Sequence, residues 1–151
     1  MITIIAIGKR HEPWLADGIA RYERRMTRAW QLQWKLLPTS SHSGDAARRE
    51  ESQQILRALS PQAYVVLLDE RGTMLDSPTL SRILHQPMAQ GKPLVLIIGG
   101  AYGVTEAVME RANLVWALSR LVFPHQLVRL ILAEQLYRAQ QIAAWHPYHH
   151  Q

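Results

Sequence analysis

Short apolar runs alternate with helix-like segments along almost the whole chain, and this alternation limits the possible folds more than any other feature. The apolar runs lie at residues 2–7, 64–68, 94–98 and 114–118, and at residues 32–36 apolar and polar residues alternate, as in a half-exposed strand, up to Pro38. Helix-like segments lie between them at residues 13–30, 46–59, 78–85, 105–112 and 126–145. Strands that alternate with helices favour a mainly parallel sheet, and continuous apolar strands indicate that helices cover both of its faces. We therefore predict an α/β fold.

The chain contains no linker, internal repeat or low-complexity segment, so residues 1–151 are predicted to form a single domain. It has no cysteine, which excludes disulfides, thiolate metal ligands and cysteine nucleophiles. No apolar run approaches the length of a membrane span, and the basic residues of the start, MITIIAIGKR, follow its apolar run instead of preceding it. We expect a cytoplasmic protein without a membrane partner.

Basic residues outnumber acidic ones, with 17 Lys and Arg against 12 Asp and Glu and a net charge of +5. This excess favours a polyanionic partner, and nucleic acid before a membrane surface. Four arginines lie at i, i+3, i+4 and i+7 within the predicted helix 13–30: Arg21, Arg24, Arg25 and Arg28. Such a stripe is either a solvated helix face or a row of phosphate contacts.

The apolar run at 94–98 continues directly into a glycine-rich turn, GGAYG, which contains Gly99, Gly100 and Gly103. Such a turn can be a simple chain reversal, but glycine also lets the backbone approach another group closely. Two other predicted strand ends, LLDERG and ALSRLVFPHQ, carry unusual loops, and ligands of open α/β sheets bind at the carboxyl ends of strands. We expect the three ends to form one pocket. The G-x-G-x-x-G spacing of a dinucleotide site and the lysine of a Walker A loop are both missing.

The last predicted helix, 126–145, is apolar around too much of its circumference for a surface helix. It is either sandwiched within the domain or buried between subunits, and we favour a homodimer. His125 precedes this helix and lies either in the pocket or on an exposed loop. His146 and His149 could share a metal ion, but they lack acidic or thiolate companions, so no metal site is predicted.

Several stretches together resemble the RlmH family of SPOUT-class methyltransferases, and the resemblance covers nearly the whole chain. They read AIGK, VVLLDERG, LIIGGAYGV, WALSRLVFPHQLVRLILAEQLYRAQQI and HPYHH. The resemblance implies a SPOUT-type α/β knot with a C-terminal trefoil knot, and a homodimer. It also implies methylation of N3 of a pseudouridine in 23S ribosomal RNA, within the ribosome, from S-adenosyl-L-methionine.

The same resemblance assigns roles to individual residues. The implied cofactor contacts are Leu68, Gly100, Ser119, Arg120, Leu121, Val122, Phe123 and Pro124. The candidates for substrate orientation or proton handling are His125, Tyr148 and His149. The tail departs from the family, because some members end in HPYHR where this chain has His150, which would serve RNA only when protonated. Because the implied substrate is RNA, the four arginines of the stripe and His150 are the candidates for RNA binding.

Two alternatives remain open from the sequence. A SPOUT methyltransferase acting on transfer RNA would have the same fold and basic charge. A non-catalytic RNA-binding protein could keep the fold and lose the cofactor.

Overall fold

The computed structural model describes residues 1–144, which form five strands and five α-helices. The strands are β1 (Ile2–Ile7), β2 (Leu32–Leu37), β3 (Tyr64–Met74), β4 (Leu94–Ile98) and β5 (Leu114–Ala117). The helices are α1 (Pro13–Glu23), α2 (Gly44–Arg57), α3 (Ser77–Ala89), α4 (Glu106–Arg111) and α5 (His125–Ala143), with one 3-10 turn at Arg28–Trp30. All strand pairings are parallel, in the order β2-β1-β4-β3-β5, which confirms the predicted α/β sheet. Within residues 1–144, no helix is long and apolar enough to cross a bilayer.

Helices cover both faces of the sheet because successive side chains of a strand point to opposite faces. On one face, Ile4 and Leu96 belong to a core shared with α3 and α5. On the other face, Ile5 and Ile97 belong to a core shared with α2 and α4. α1 packs against α5 and extends the first layer.

α5 carries buried side chains around most of its circumference because it contacts the sheet core, α1 and α3 at once. Burial within the domain therefore accounts for much of the apolar character that the sequence shows in this segment. The homodimer and the trefoil knot are not tested by this arrangement and stay predictions.

The predicted helix 13–30 is wrong in its extent, since α1 ends at Glu23. The chain then turns, and Arg28 adopts a left-handed φ of 51°. Gln140 of α5 holds this turn from the side: it accepts a hydrogen bond from the amide of Thr27 at 2.9 Å and donates one to the carbonyl of Arg25 at 3.2 Å. The turn depends on a partner 113 residues away, which local periodicity does not reveal. The four arginines consequently do not form one helical stripe.

The segment after α1 lies at the amino-terminal edge of the sheet. The amide of Ile2, at the start of β1, donates to the carbonyl of Gln31, which directly precedes β2. Arg24, Arg25 and Arg28 lie between the end of α1 and this point. They are therefore at the edge opposite to the carboxyl ends of the strands.

β3 is longer than the predicted run 64–68, because it continues through the sequence DERG to Met74. Its pairing with β5 shifts register between Leu68 and Thr73. At Gly72, inside the shift, an added Cβ would collide with the backbone of Val115 in β5. The two backbones approach closely there, and only glycine permits it.

Candidate functional site

The carboxyl ends of β3, β4 and β5 enclose a cavity of about 540 Å³. Arg48 of α2 and the first turn of α5 complete its wall. This volume lies in the range of sites for small organic ligands. The three strand ends singled out in the sequence thus form one pocket, as expected.

Six of the eight predicted cofactor contacts line this cavity: Leu68, Gly100, Ser119, Leu121, Val122 and Phe123. The remaining two, Arg120 and Pro124, belong to the same segment but do not line the cavity, and both are exposed. The segment, residues 118–124, connects β5 to α5 without helix or strand. The structure brings these residues together, and their binding role stays a prediction.

Gly100 is a glycine because other groups occupy the space of a side chain. A Cβ at this position would collide with Oε1 of Glu51 and lie 3.3 Å from Cγ2 of Ile7. The amide of Gly103, at a φ of +77°, donates to the carbonyl of Gly100 at 3.0 Å and closes the turn. The turn therefore lies tightly against α2 and the end of β1.

Glu51 is a buried carboxylate that the sequence analysis missed. Its side chain is on α2 and is 2% exposed. Oε2 accepts a hydrogen bond from the amide of Ser40 at 2.9 Å, whereas Oε1 has no donor among the described residues. The signal was present, because Glu51 lies four residues from both Ala47 and Ile55 on the buried face of α2. A carboxylate on the apolar face of a helix is rarely buried without a partner, so this position indicates a structural or functional group.

Asp69 and Arg71 form a charged pair on the β3 side of the cavity. Nε and one terminal nitrogen of Arg71 each donate to the carboxylate of Asp69 at 2.9 Å. These hydrogen bonds, with the positive charge of Arg71, hold the pKa of Asp69 below its ordinary value despite partial burial. Asp69 is therefore ionised at neutral pH and gives this wall a fixed negative group.

His125, the first residue of α5, lines the cavity while part of it stays exposed to solvent. Burial lowers its pKa below the ordinary 6.5, the charge of Arg129 lowers it further, and Glu51 acts in the opposite direction. His125 is therefore neutral at pH 7. Its unprotonated ring nitrogen can accept a proton or a hydrogen bond from a bound molecule.

Other predicted residues fall elsewhere. Tyr148, His149 and His150 lie outside the described residues, as does the histidine pair considered for a metal. Within residues 1–144, no group of three His, Cys, Asp or Glu side chains could hold a metal ion.

Comparisons with known proteins agree with this architecture. A family model described as "Predicted SPOUT methyltransferase" matches residues 1–149. A protein of Thioalkalivibrio sulfidiphilus named Ribosomal RNA large subunit methyltransferase H is 41% identical, across 98% of this chain and 97% of its own. Proteins of the same name from Dichelobacter nodosus and Coxiella burnetii are 41% and 36% identical over the same 98% of this chain.

Among solved structures, TrmJ from Z. mobilis superposes with a TM-score of 0.55 at 13% identity, over 93% of this chain and 70% of that one. Identity at that level is evidence for the fold alone. The curated relatives are different, because they match over nearly their whole length at about 40% identity. With the family model covering residues 1–149, these matches show that the chain belongs to the SPOUT methyltransferase family.

Proposed function

We propose that this protein transfers the methyl group of S-adenosyl-L-methionine to N3 of a pseudouridine in 23S ribosomal RNA of the large ribosomal subunit. The observation that carries the proposal is the convergence of three family-like segments, which begin near Leu68, Gly100 and Ser119, on one cavity. The name of the full-length relatives, Ribosomal RNA large subunit methyltransferase H, supports ribosomal RNA as the substrate class.

The residues of the cavity fit this cofactor. The glycine turn lines the cavity with Gly99, Gly100 and Gly103, which have no side chains, so backbone groups can approach a ligand there. Leu68, Phe123 and Val128 supply apolar surface for a purine ring, and the ionised Asp69 suits a cationic or hydroxyl-bearing group. We assign Leu68, Gly100 and the segment 119–124 to holding it. When bound, the cofactor supplies an electrophilic methyl group on a positively charged sulfur.

The chain's own residues then have two tasks, to orient the base and to accept a proton. N3 of pseudouridine carries a hydrogen that must leave for the nitrogen to keep a new substituent. His125, neutral at pH 7 and lining the cavity, is our candidate acceptor of that proton. Tyr148 and His149 are proposed to orient the base. Positioning supplies much of the rate enhancement, because the donor is already activated.

We further propose a cytoplasmic homodimer with the trefoil knot of its family. Exposed apolar side chains at the cavity rim support a partner surface: Leu121 is 71% exposed and Val122 is 77% exposed. Arg21, Arg24, Arg25 and Arg28, together with His150, remain proposed RNA contacts.

The test is methyl transfer from labelled S-adenosyl-L-methionine to ribosomes that lack the modification, with bare transfer RNA as the control substrate. We expect label in 23S ribosomal RNA, and we expect none when uridine replaces the pseudouridine. Label in transfer RNA would keep the fold and change the substrate. Absence of both label and cofactor binding would leave a non-catalytic RNA-binding protein and overturn the proposal.

A further inference from the structure

The loop between β1 and α1, residues 8–12, lies beside the candidate pocket but is not part of its wall. β1 and β4 are neighbours, with Ala6 paired to Ile98, so both strands end at the same edge. Ile7, the last residue of β1, lies next to Gly100: a Cβ added at Gly100 would be 3.3 Å from Cγ2 of Ile7. Lys9 and Arg10 follow at once, and both are exposed.

Two side chains from the first turns of α5 fix this loop. Gln126 accepts a hydrogen bond from the amide of Glu12 at 3.0 Å and donates to the carbonyl of Arg10 at 3.2 Å. Arg129 donates to the same carbonyl at 3.0 Å, to the carbonyl of Ile7 at 3.0 Å and to that of Gly8 at 3.1 Å. The conformation of Lys9 and Arg10 is thus set by a helix more than 110 residues away in sequence.

Arg129 is an unusual group to find in this position. It is 1% exposed, and among the described residues it has no carboxylate within ion-pair distance. Burying a guanidinium without a counter-ion is unfavourable unless hydrogen bonds compensate it, and nearly all of its bonds go to this loop. Gly8 adopts a φ of +117°, and one terminal nitrogen of Arg129 lies 3.0 Å from where its Cβ would be. The buried guanidinium of Arg129 therefore mainly stabilises the conformation of the β1–α1 loop.

The β1–α1 loop carries two exposed cations, Lys9 and Arg10, and one carboxylate, Glu12. Arg71 and Arg48, which line the cavity, are paired with Asp69 and Asp45. Within residues 1–144, Lys9 and Arg10 have no such partner. Unpaired cations on a loop whose backbone is held in place beside a pocket are suited to a polyanion that must be held in one register.

We propose that Lys9 and Arg10 bind backbone phosphates of the RNA next to the nucleotide that enters the pocket. The inference rests on the proposed function. It places the main contact with RNA phosphates at the carboxyl edge of the sheet. The arginines after α1 lie at the other edge, about 20 Å away along a six-residue strand. They are too far to contact nucleotides adjacent to the pocket of the same protomer.

The test compares binding of unmodified large ribosomal subunits by K9A/R10A, by the charge-keeping exchange K9R/R10K, and by R57A/K92A. Arg57 and Lys92 are exposed basic residues at the amino-terminal edge, so the last variant matches the change in charge. Two lost phosphate contacts should make the slope of log affinity against log salt shallower by about 1.4 to 1.8. The difference between wild type and K9A/R10A should then shrink about tenfold from roughly 50 to 200 mM salt. K9R/R10K and R57A/K92A should keep the wild-type slope.

Equal slopes for K9A/R10A and wild type would overturn the inference, as would an equal loss in R57A/K92A. A loss confined to R24A/R25A would also overturn it and place the contact at the amino-terminal edge. Cofactor affinity and melting temperature are measured for every variant, and a loss of either in K9A/R10A would indicate a structural role and contradict phosphate binding. Wild type that binds subunits but transfers no methyl group would reject the proposed function, while the slopes would still decide this inference.

Discussion

At the scale of single residues, the floor of the pocket depends on the contact between Gly100 and Glu51. An alanine at position 100 would place its Cβ against Oε1 of Glu51 and 3.3 Å from Ile7. We expect Gly100→Ala to lower the free energy of unfolding by about 1–3 kcal/mol, because the buried neighbours have to shift. Urea unfolding measures this loss, and calorimetric titration with S-adenosyl-L-methionine should show weaker binding.

A double-mutant cycle identifies the cause. If the carboxylate is the obstacle, Gly100→Ala should cost less when Glu51 is already alanine than in the wild-type background. Additive losses from the two substitutions would show that the strain arises elsewhere. Exposed Ala101→Ser, on the same turn, serves as the control and should leave stability unchanged.

Two histidines should make stability depend on pH. Burial, and then the charge of Arg129, lower the pKa of both His11 and His125 below the ordinary 6.5. The unfolded chain therefore binds more protons just below pH 6.5, so the free energy of unfolding should fall as the pH drops from 7.5 to about 5.5. Urea unfolding across this range should show the decline, and His11→Gln should make it shallower. A stability that is constant or rises on acidification would contradict these pKa shifts.

Some features of the site could be predicted from the sequence, and others appear only in the structure. The pocket at the three strand ends follows from local sequence, because strand ends and glycine turns are local signals, whereas the cofactor roles of Gly100 and the segment 119–124 are implied only by the family resemblance. Glu51 and Arg129 could not be assigned their partners in this way. The contact of Glu51 with Ser40 depends on how the loop before α2 folds back onto that helix, and Arg129 reaches the β1–α1 loop only after α5 packs beside it.

At the scale of elements, the irregular end of β3 depends on Gly72. A Cβ there would meet the backbone of β5, which cannot move aside as a flexible side chain can. We expect Gly72→Ala to be among the more destabilising single changes, by at least about 3 kcal/mol, or to prevent folding. The denaturation midpoint of purified protein measures it, with Thr73→Ala, at the next and exposed position, as the control. Equal midpoints for the two variants would show that the strands separate without penalty.

The limits of the strands and helices show where the sequence pattern is sufficient to predict an element's boundaries. β1, β2 and β4 begin and end within a residue of their predicted limits, because apolar runs that end at glycine define β1 and β4, and apolar–polar alternation that ends at Pro38 defines β2. α1 was predicted too long, since apolar spacing continues to Met26 although that residue enters the core from a turn. β3 was predicted too short, since DERG resembles a turn; residues 69–72 do interrupt the pairing with β5, but the strand pairs with β5 again at Thr73 and Met74.

At the scale of the whole molecule, the proposed homodimer gives a direct prediction. Sedimentation velocity should give twice the chain mass of 17.3 kDa. Leu121→Ser combined with Val122→Ser should favour the monomer, since both side chains are exposed in the single chain. Met74→Ser, which removes an apolar side chain that is 50% exposed, is the control. A wild-type monomer at micromolar concentration would contradict the proposal.

The dependence of the β1–α1 loop on α5 has a consequence for the order in which the protein matures. β1 is synthesised before α5, so the loop that follows β1 is made more than 110 residues ahead of Gln126 and Arg129, which fix it. The cavity has the same dependence, because His125 and the segment 118–124 close it. Because a domain generally folds as a unit, both surfaces assigned to RNA and cofactor are complete only after α5 has been synthesised. An unfinished chain is therefore an inactive one, and competence for RNA is reached only when α5 docks.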